Sequence, residues 1–229
     1  MKRLTSHRNT SMGASWRRPP VTLFLAALSL VSICSAQSQD TVYGTGACAN
    51  LTAGLGNSCF GYNAGYNTST GGEGIGPNNS NAFFGDYTGY SNVSGDSNAF
   101  FGAFAGFSNT ANNNTLIGNQ AGYSTTTGND NVFLGTFAGQ YNTTGSSNTF
   151  VGYQAGGNNG ENSNNIFVGF LAGINNATGT NDIYVGNQGP TANESNTMRL
   201  GDTQTAAYMA GGYGATSSSG VEVFIDSRV

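Results

Sequence analysis

The chain has 229 residues, of which 8% are charged, with a formal net charge of −4, one histidine and three cysteines. So few cations exclude a basic face of the kind that neutralises phosphates, and nucleic-acid binding with it. One histidine leaves little with which to build a metal centre or a nucleophile–base pair.

In chain order, residues 1–36 read as an export signal. Lys2, Arg3, Arg8, Arg17 and Arg18 make a basic start, Val21 to Ile33 an apolar run, and Cys34-Ser35-Ala36 a small-residue cleavage site. The apolar run is about 13 residues, too short to span a membrane, and no membrane span is expected in the exported chain. That chain keeps all eleven carboxylates but only Arg199 and Arg228 as cations, a balance of −9 without a lysine. The expected location is extracellular or the cell surface.

From residue 37 to 205 the chain repeats. The glycines Gly44, Gly61, Gly85, Gly102, Gly118, Gly135, Gly152, Gly169, Gly186 and Gly201 follow one another at steps of 17, 24, 17, 16, 17, 17, 17, 17 and 15 residues. A period this regular marks one unit stacked on copies of itself. Clear copies include NAFFGAFAGF (98–107), NVFLGTFAGQ (131–140) and NIFVGFLAGI (165–174). The three residues before each glycine read as a short strand. The expectation is an all-β fold, a parallel β-roll or β-solenoid of about ten coils, with residues 206–229 as a transition or cap. The seven-residue excess between Gly61 and Gly85 reads as a loop budding from one corner. A second glycine four residues after the first, and a glycine or asparagine ten after it (Gly95, Asn112, Gly128, Gly145, Asn162, Gly179), read as corners of positive φ.

Each strand is apolar on both faces. Two residues before the glycine stand Cys59, Phe83, Phe100, Leu116, Phe133, Phe150, Phe167 and Tyr184; just before it stand Phe60, Phe84, Phe101, Ile117, Leu134, Val151, Val168 and Val185. Neighbouring residues of a strand point to opposite faces, and a single coil has only one inside. The Phe83-to-Tyr184 column is therefore a candidate core or interface, and the column left outside is expected to be covered by another copy of the chain.

The asparagine four before each glycine (Asn57, Asn81, Asn98, Asn114, Asn131, Asn148, Asn165) forms a further column. Stacked amides hydrogen-bond along the stack or to their own backbone, a structural role either way. Polar segments such as SNVSG, STTTG and YNTTG read as exposed loops. Cys48 and Cys59, the cysteines of the exported part, either pair and staple the first two coils or lie as small buried hydrophobes.

The Asn-x-Φ-Φ-Gly core followed by Ala-Gly or Thr-Gly, from Asp40 to Gly189, resembles the head repeats of trimeric autotransporter adhesins. Those bacterial surface proteins have left-handed parallel β-roll heads, and similar repeats occur in phage fibres and secreted bacterial proteins. The resemblance implies a homotrimer of side-by-side chains that bury one apolar column. It also implies an adhesin-like head or fibre element that touches a host, matrix or glycan surface at many points. Asn196 to Gly201, with residues 206–225, resembles the transition from such heads toward a self-cleaving chaperone domain. No chaperone domain, heptad stalk or membrane barrel follows before Val229, so the family's means of anchoring is not expected from these residues. The alternatives are an ice- or glycan-binding solenoid and a passive extracellular filament subunit.

Catalysis is not expected. On a solenoid it needs charged groups converging from neighbouring coils, yet Asp86, Asp182 and Glu161 have no carboxylate at the same repeat position above or below. Gly128-Asn129-Asp130 and Gly179-Thr180-Asn181-Asp182 lack the paired glycine and the period of calcium-binding repeats. No cofactor or metal is expected.

Overall fold

The computed structural model describes residues 40–51, 56–69, 80–190 and 194–204. The expected export signal, the corner insertion around 72–77 and the C-terminal segment 206–229 lie outside the described residues.

Ten three-residue strands form one sheet: β1 (Thr41–Tyr43), β2 (Ser58–Phe60), β3 (Ala82–Phe84), β4 (Ala99–Phe101), β5 (Thr115–Ile117), β6 (Val132–Leu134), β7 (Thr149–Val151), β8 (Ile166–Val168), β9 (Ile183–Val185) and β10 (Met198–Leu200). Strand order is chain order and every pair is parallel. This is the all-β parallel solenoid that the glycine period predicts, with turns of about 17 residues and no helix among the described residues.

In-register pairing stacks like on like. Phe83 faces Phe100, Phe133 faces Phe150 and Phe167 faces Tyr184 across neighbouring strands. That middle column is wholly buried from Cys59 to Tyr184, which assigns it to the core. Rings of Phe133, Phe150 and Phe167 lie nearly parallel, with centroids 4.8 and 5.0 Å apart. Burial of each large side chain contributes about 1.5–3 kcal/mol. Opposite the strand, Ala64, Ala105, Ala121, Ala138, Ala155 and Ala172 close the interior.

Two glycine columns allow this packing. At Gly102 φ is 129°, and an added Cβ would fall on the carbonyl of Gly118 in the next coil; backbone stacks directly on backbone there. At Gly106 φ is 59° and a Cβ would strike the ring of Phe100. The core ring thus sits against a bare Cα.

The third column corrects the sequence expectation. Gly95, Gly128, Gly145 and Gly179 have no positive φ; they are small because the carbonyl of the next coil occupies the space a Cβ would need. The left-handed corner falls two residues later, at Ser97, Asp130, Ser147, Asn164 and Asn181; in the shorter coil Ala111 rather than the expected Asn112 holds the column, and Asn113 is its corner.

The asparagine column is buried, and its ladder runs mainly through the main chain. The side-chain oxygen of Asn98 accepts the backbone N–H of Asn114 at 2.9 Å, and that of Asn131 accepts Asn148 at 3.0 Å. From Asn81 to Asn165 each Nδ2 donates to a carbonyl of the third column, as Asn114 does to Gly128 at 2.9 Å. Asp40 and Asp182 stand in this column at its two ends and accept the same backbone bond, from Asn57 at 2.7 Å and Thr197 at 2.8 Å.

Candidate functional site

Among the described residues, the strands turn a continuous apolar surface outward. Residues on either side of the buried middle position point away from the core. The column just before the glycine leaves Tyr43, Phe101, Ile117, Leu134, Val185 and Leu200 exposed. The column two residues earlier leaves Val132, Ile166 and Met198 exposed. Leu134 keeps 45% of its surface in water, whereas its strand neighbour Phe133 keeps none. Phe60, Phe84 and Phe101 stack face to face along the outer column at 4.7 and 4.8 Å. Neither column carries a carboxylate or a cation.

A second aromatic surface lies on the segments that follow the glycine in the first coils. Tyr66, Tyr90, Phe107 and Tyr123, each five residues after its glycine, stack at 5.3, 5.2 and 5.1 Å. Tyr87 and Phe104, three residues earlier in their coils, stack at 5.3 Å and are tilted against that ladder. Both hold positive φ, 53° and 59°, as do Phe137 and Leu171. Bulky residues avoid that conformation at a cost of about 1–2 kcal/mol. Asn63 occupies the same repeat position at φ 53°, so the turn itself asks for no ring. Further along, Phe170 is 69% exposed and stacks on Tyr153.

Charge flanks the strip without entering it: Asp86 follows Gly85 directly, and Asp96, Asp130 and Glu161 lie in the segments that lead to the next strand. Threonine hydroxyls of the polar side are committed within the stack: Thr110 donates to the Thr126 carbonyl at 3.0 Å and Thr126 to the Thr143 carbonyl at 3.1 Å.

The ends differ from the middle. At the N-terminal end Cys48 and Cys59 form a disulfide, with Cα atoms 6.0 Å apart. Cys48, at φ 43°, takes the place of the second glycine and Cys59 the place of the core ring. At the other end Arg199 continues the core register beside Tyr184. Its guanidinium forks onto Glu194, with Nη2 donating to Oε2 at 2.8 Å, and the Tyr184 hydroxyl donates to Glu194 Oε1 at 2.6 Å. The Arg199 bonds hold the Glu194 carboxyl below its ordinary range. Burial, then the bond to Glu194, pushes the Tyr184 phenol up, so it remains a donor. Asn176 Nδ2 closes the cluster by donating to Asp182 Oδ2 at 2.9 Å.

The predicted columns fall together in this geometry: all ten first glycines line one seam beside the strands, and Phe83, Phe100, Leu116, Phe133, Phe150, Phe167 and Tyr184 line the core. Sequence reasoning missed a second buried amide column. Asn92, Asn109, Asn142, Asn159 and Asn176 are buried, although they belong to segments expected to be exposed loops. Asn92 and Asn142 each donate to the carbonyl three residues on, at 2.9 Å, so the polar segment folds back onto its own amide. The asparagine seven residues after Gly85, Gly102, Gly135, Gly152 and Gly169 was the available signal, with Thr68 and Thr125 at the same place after Gly61 and Gly118. The aromatic ladder was missed as well, though rings recur five residues after four successive glycines.

Comparison with protein-family models, with curated proteins and with solved structures finds no match. No helix among the described residues is long and apolar enough to cross a membrane.

Proposed function

We propose that the chain is an exported structural protein whose solenoids associate side by side, three to a unit, as an adhesin-like head or fibre element. One observation carries this reading. The column inside strands β2 to β9 is wholly buried while the column outside, just as apolar, stays half-buried or exposed. Nine steps of about 4.8 Å make the strip roughly 43 Å long. At a width of about 10 Å the strip offers roughly 430 Å² of contiguous apolar surface, within the range of exposed patches that mark interaction sites. A strip without charge on an otherwise acidic chain is where like copies meet with least repulsion. The disulfide agrees with an oxidising compartment.

In mechanism, the stack holds its polar corners at a fixed pitch, so that many weak contacts with a host surface, matrix or glycan add up. Sugar stacking on the aromatic ladder is disfavoured, because each ring face is already covered by the next ring. Ice or flat-lattice binding is disfavoured by threonine hydroxyls that donate inward.

Light scattering on the purified exported chain tests the assembly: a mass of three chains is expected, and a single chain at all concentrations overturns it. Binding of that trimer to cells, matrix proteins and a glycan array tests the adhesive role, which fails if every surface is ignored.

A further inference from the structure

Residues 37–229 contain no lysine, histidine or tryptophan. An amide cross-link through lysine is therefore closed to this part of the chain. Its two cysteines are both committed to the Cys48–Cys59 bond. Tyrosine is left as the side chain most readily oxidised into a cross-link, because its phenol gives up a hydrogen atom far more easily than a phenylalanine ring.

Four tyrosines are brought together in two neighbouring coils. Tyr62 and Tyr66 follow Gly61, and Tyr87 and Tyr90 follow Gly85. Tyr62 meets Tyr87 edge to face with centroids 5.3 Å apart, Tyr66 lies flat on Tyr90, and Tyr87 stands 5.6 Å from Tyr90. Elsewhere among the described residues Tyr123, Tyr153 and Tyr184 stack on phenylalanines instead. Tyr62 is 49% exposed, so an oxidant reaches the cluster from solvent. Burial, then the neighbouring Tyr62 phenol, raises the Tyr87 phenol above its ordinary value. That influence requires the two hydroxyl ends, and the ring carbons flanking them, to lie side by side.

We propose that this cluster is a site of oxidative tyrosine coupling, in which hydrogen peroxide and a haem peroxidase join the coil of Tyr62 and Tyr66 to the coil of Tyr87 and Tyr90. Each of two phenols loses one hydrogen atom to the oxidant. The peroxide, taking two electrons and two protons, leaves as two waters. The paired radicals form a carbon–carbon bond between Cε atoms beside the hydroxyls. The hydrogen on each of those carbons then moves as a proton to its own phenolic oxygen, which restores both rings. The net change is the loss of two hydrogens. Holding both phenols in contact makes the coupling intramolecular. The Cys48–Cys59 bond staples the first two coils, and this link extends the staple by one coil, enclosing the insertion between Gly61 and Gly85.

The test treats the full exported chain, in dilute solution, with peroxidase and hydrogen peroxide. Expected are the blue fluorescence of a biphenol and a single-chain mass lower by two hydrogens. After denaturation and reduction, cleavage behind Glu73 and Glu161 puts Tyr62 and Tyr66 in one peptide and Tyr87 and Tyr90 in another. Those two peptides are expected to stay joined. Tyr62→Phe with Tyr66→Phe keeps the rings but removes the phenols, and is expected to lower the biphenol yield roughly tenfold or more. Tyr123→Phe with Tyr153→Phe is expected to leave the yield unchanged, with the melting temperature as the folding control for both variants.

Links between chains, links confined to one peptide or mapped to other tyrosines, or a yield indifferent to the Tyr62 and Tyr66 phenols overturn the proposal. So does the absence of any biphenol. None of these outcomes depends on whether the chains associate.

Discussion

The two ends of the stack close the same core by different chemistry. Every interior coil sets a large core side chain against a glycine, as Phe100 does against Gly106 and Leu116 against Gly122. At the N-terminal end both partners change together: Cys48 stands for the glycine, Cys59 for the ring, and a covalent bond replaces van der Waals contact. At the C-terminal end of the described stack the core ring becomes Tyr184 and then Arg199, neutralised by Glu194. A column of rings has no natural terminus, because its last face meets water. One end solves this with a crosslink, the other by turning polar one step at a time.

Substitutions sharpen this contrast, beginning with the interior that both ends protect. Phe133→Ala removes a ring packed on both sides and should cost about 3–5 kcal/mol in denaturant unfolding, more than any change at either end. Reduction of the Cys48–Cys59 bond should cost about 2–4 kcal/mol, visible as a melting shift with reductant. If the N-terminal pair does stand in for glycine and ring, Cys48→Gly with Cys59→Phe should melt independently of reductant and recover much of that loss. Failure of this double variant would break the equivalence between the end and the middle.

The polar end should respond more weakly. Arg199→Ala leaves Glu194 with the tyrosine alone and should cost about 1 kcal/mol, because the pair is part-exposed, with no change in reductant sensitivity. The smallest effect is one of pH. The folded-state pKa of Glu194 is depressed, so its contribution is complete above the ordinary value of 4.5 and is lost as pH falls through the folded value. The melting gap between the parent and Glu194→Gln should therefore be full at neutral pH and shrink in acid, while the reductant-dependent shift persists.

Much of the architecture was legible because a solenoid writes its period directly into the chain. The glycine seam, the strands before it and the two-sided apolarity of Phe100-Phe101 all follow from spacing and alternation. Composition could not tell which of two equally apolar columns lay inside; Gly106 decides that, since its bare Cα is shaped to Phe100 and not to Phe101. Gly128 was misread because a glycine needed for space and one needed for φ look alike in a sequence. Asn92 was misplaced because an amide that bonds the carbonyl of Gly95 is buried by its own turn, which polarity alone does not reveal. The Arg199–Glu194 cap breaks the repeat, and a reading built on repetition has least to say where repetition stops.

One seam bears on how such a molecule changes in size. Where Gly102 rests on Gly118, no side chain marks one level as different from the next. A whole turn inserted or removed there would meet an unaltered floor and ceiling, with the two special ends left untouched. Length is then a free variable, adjustable in increments of about 4.8 Å, and a lineage could alter its reach by gene duplication alone.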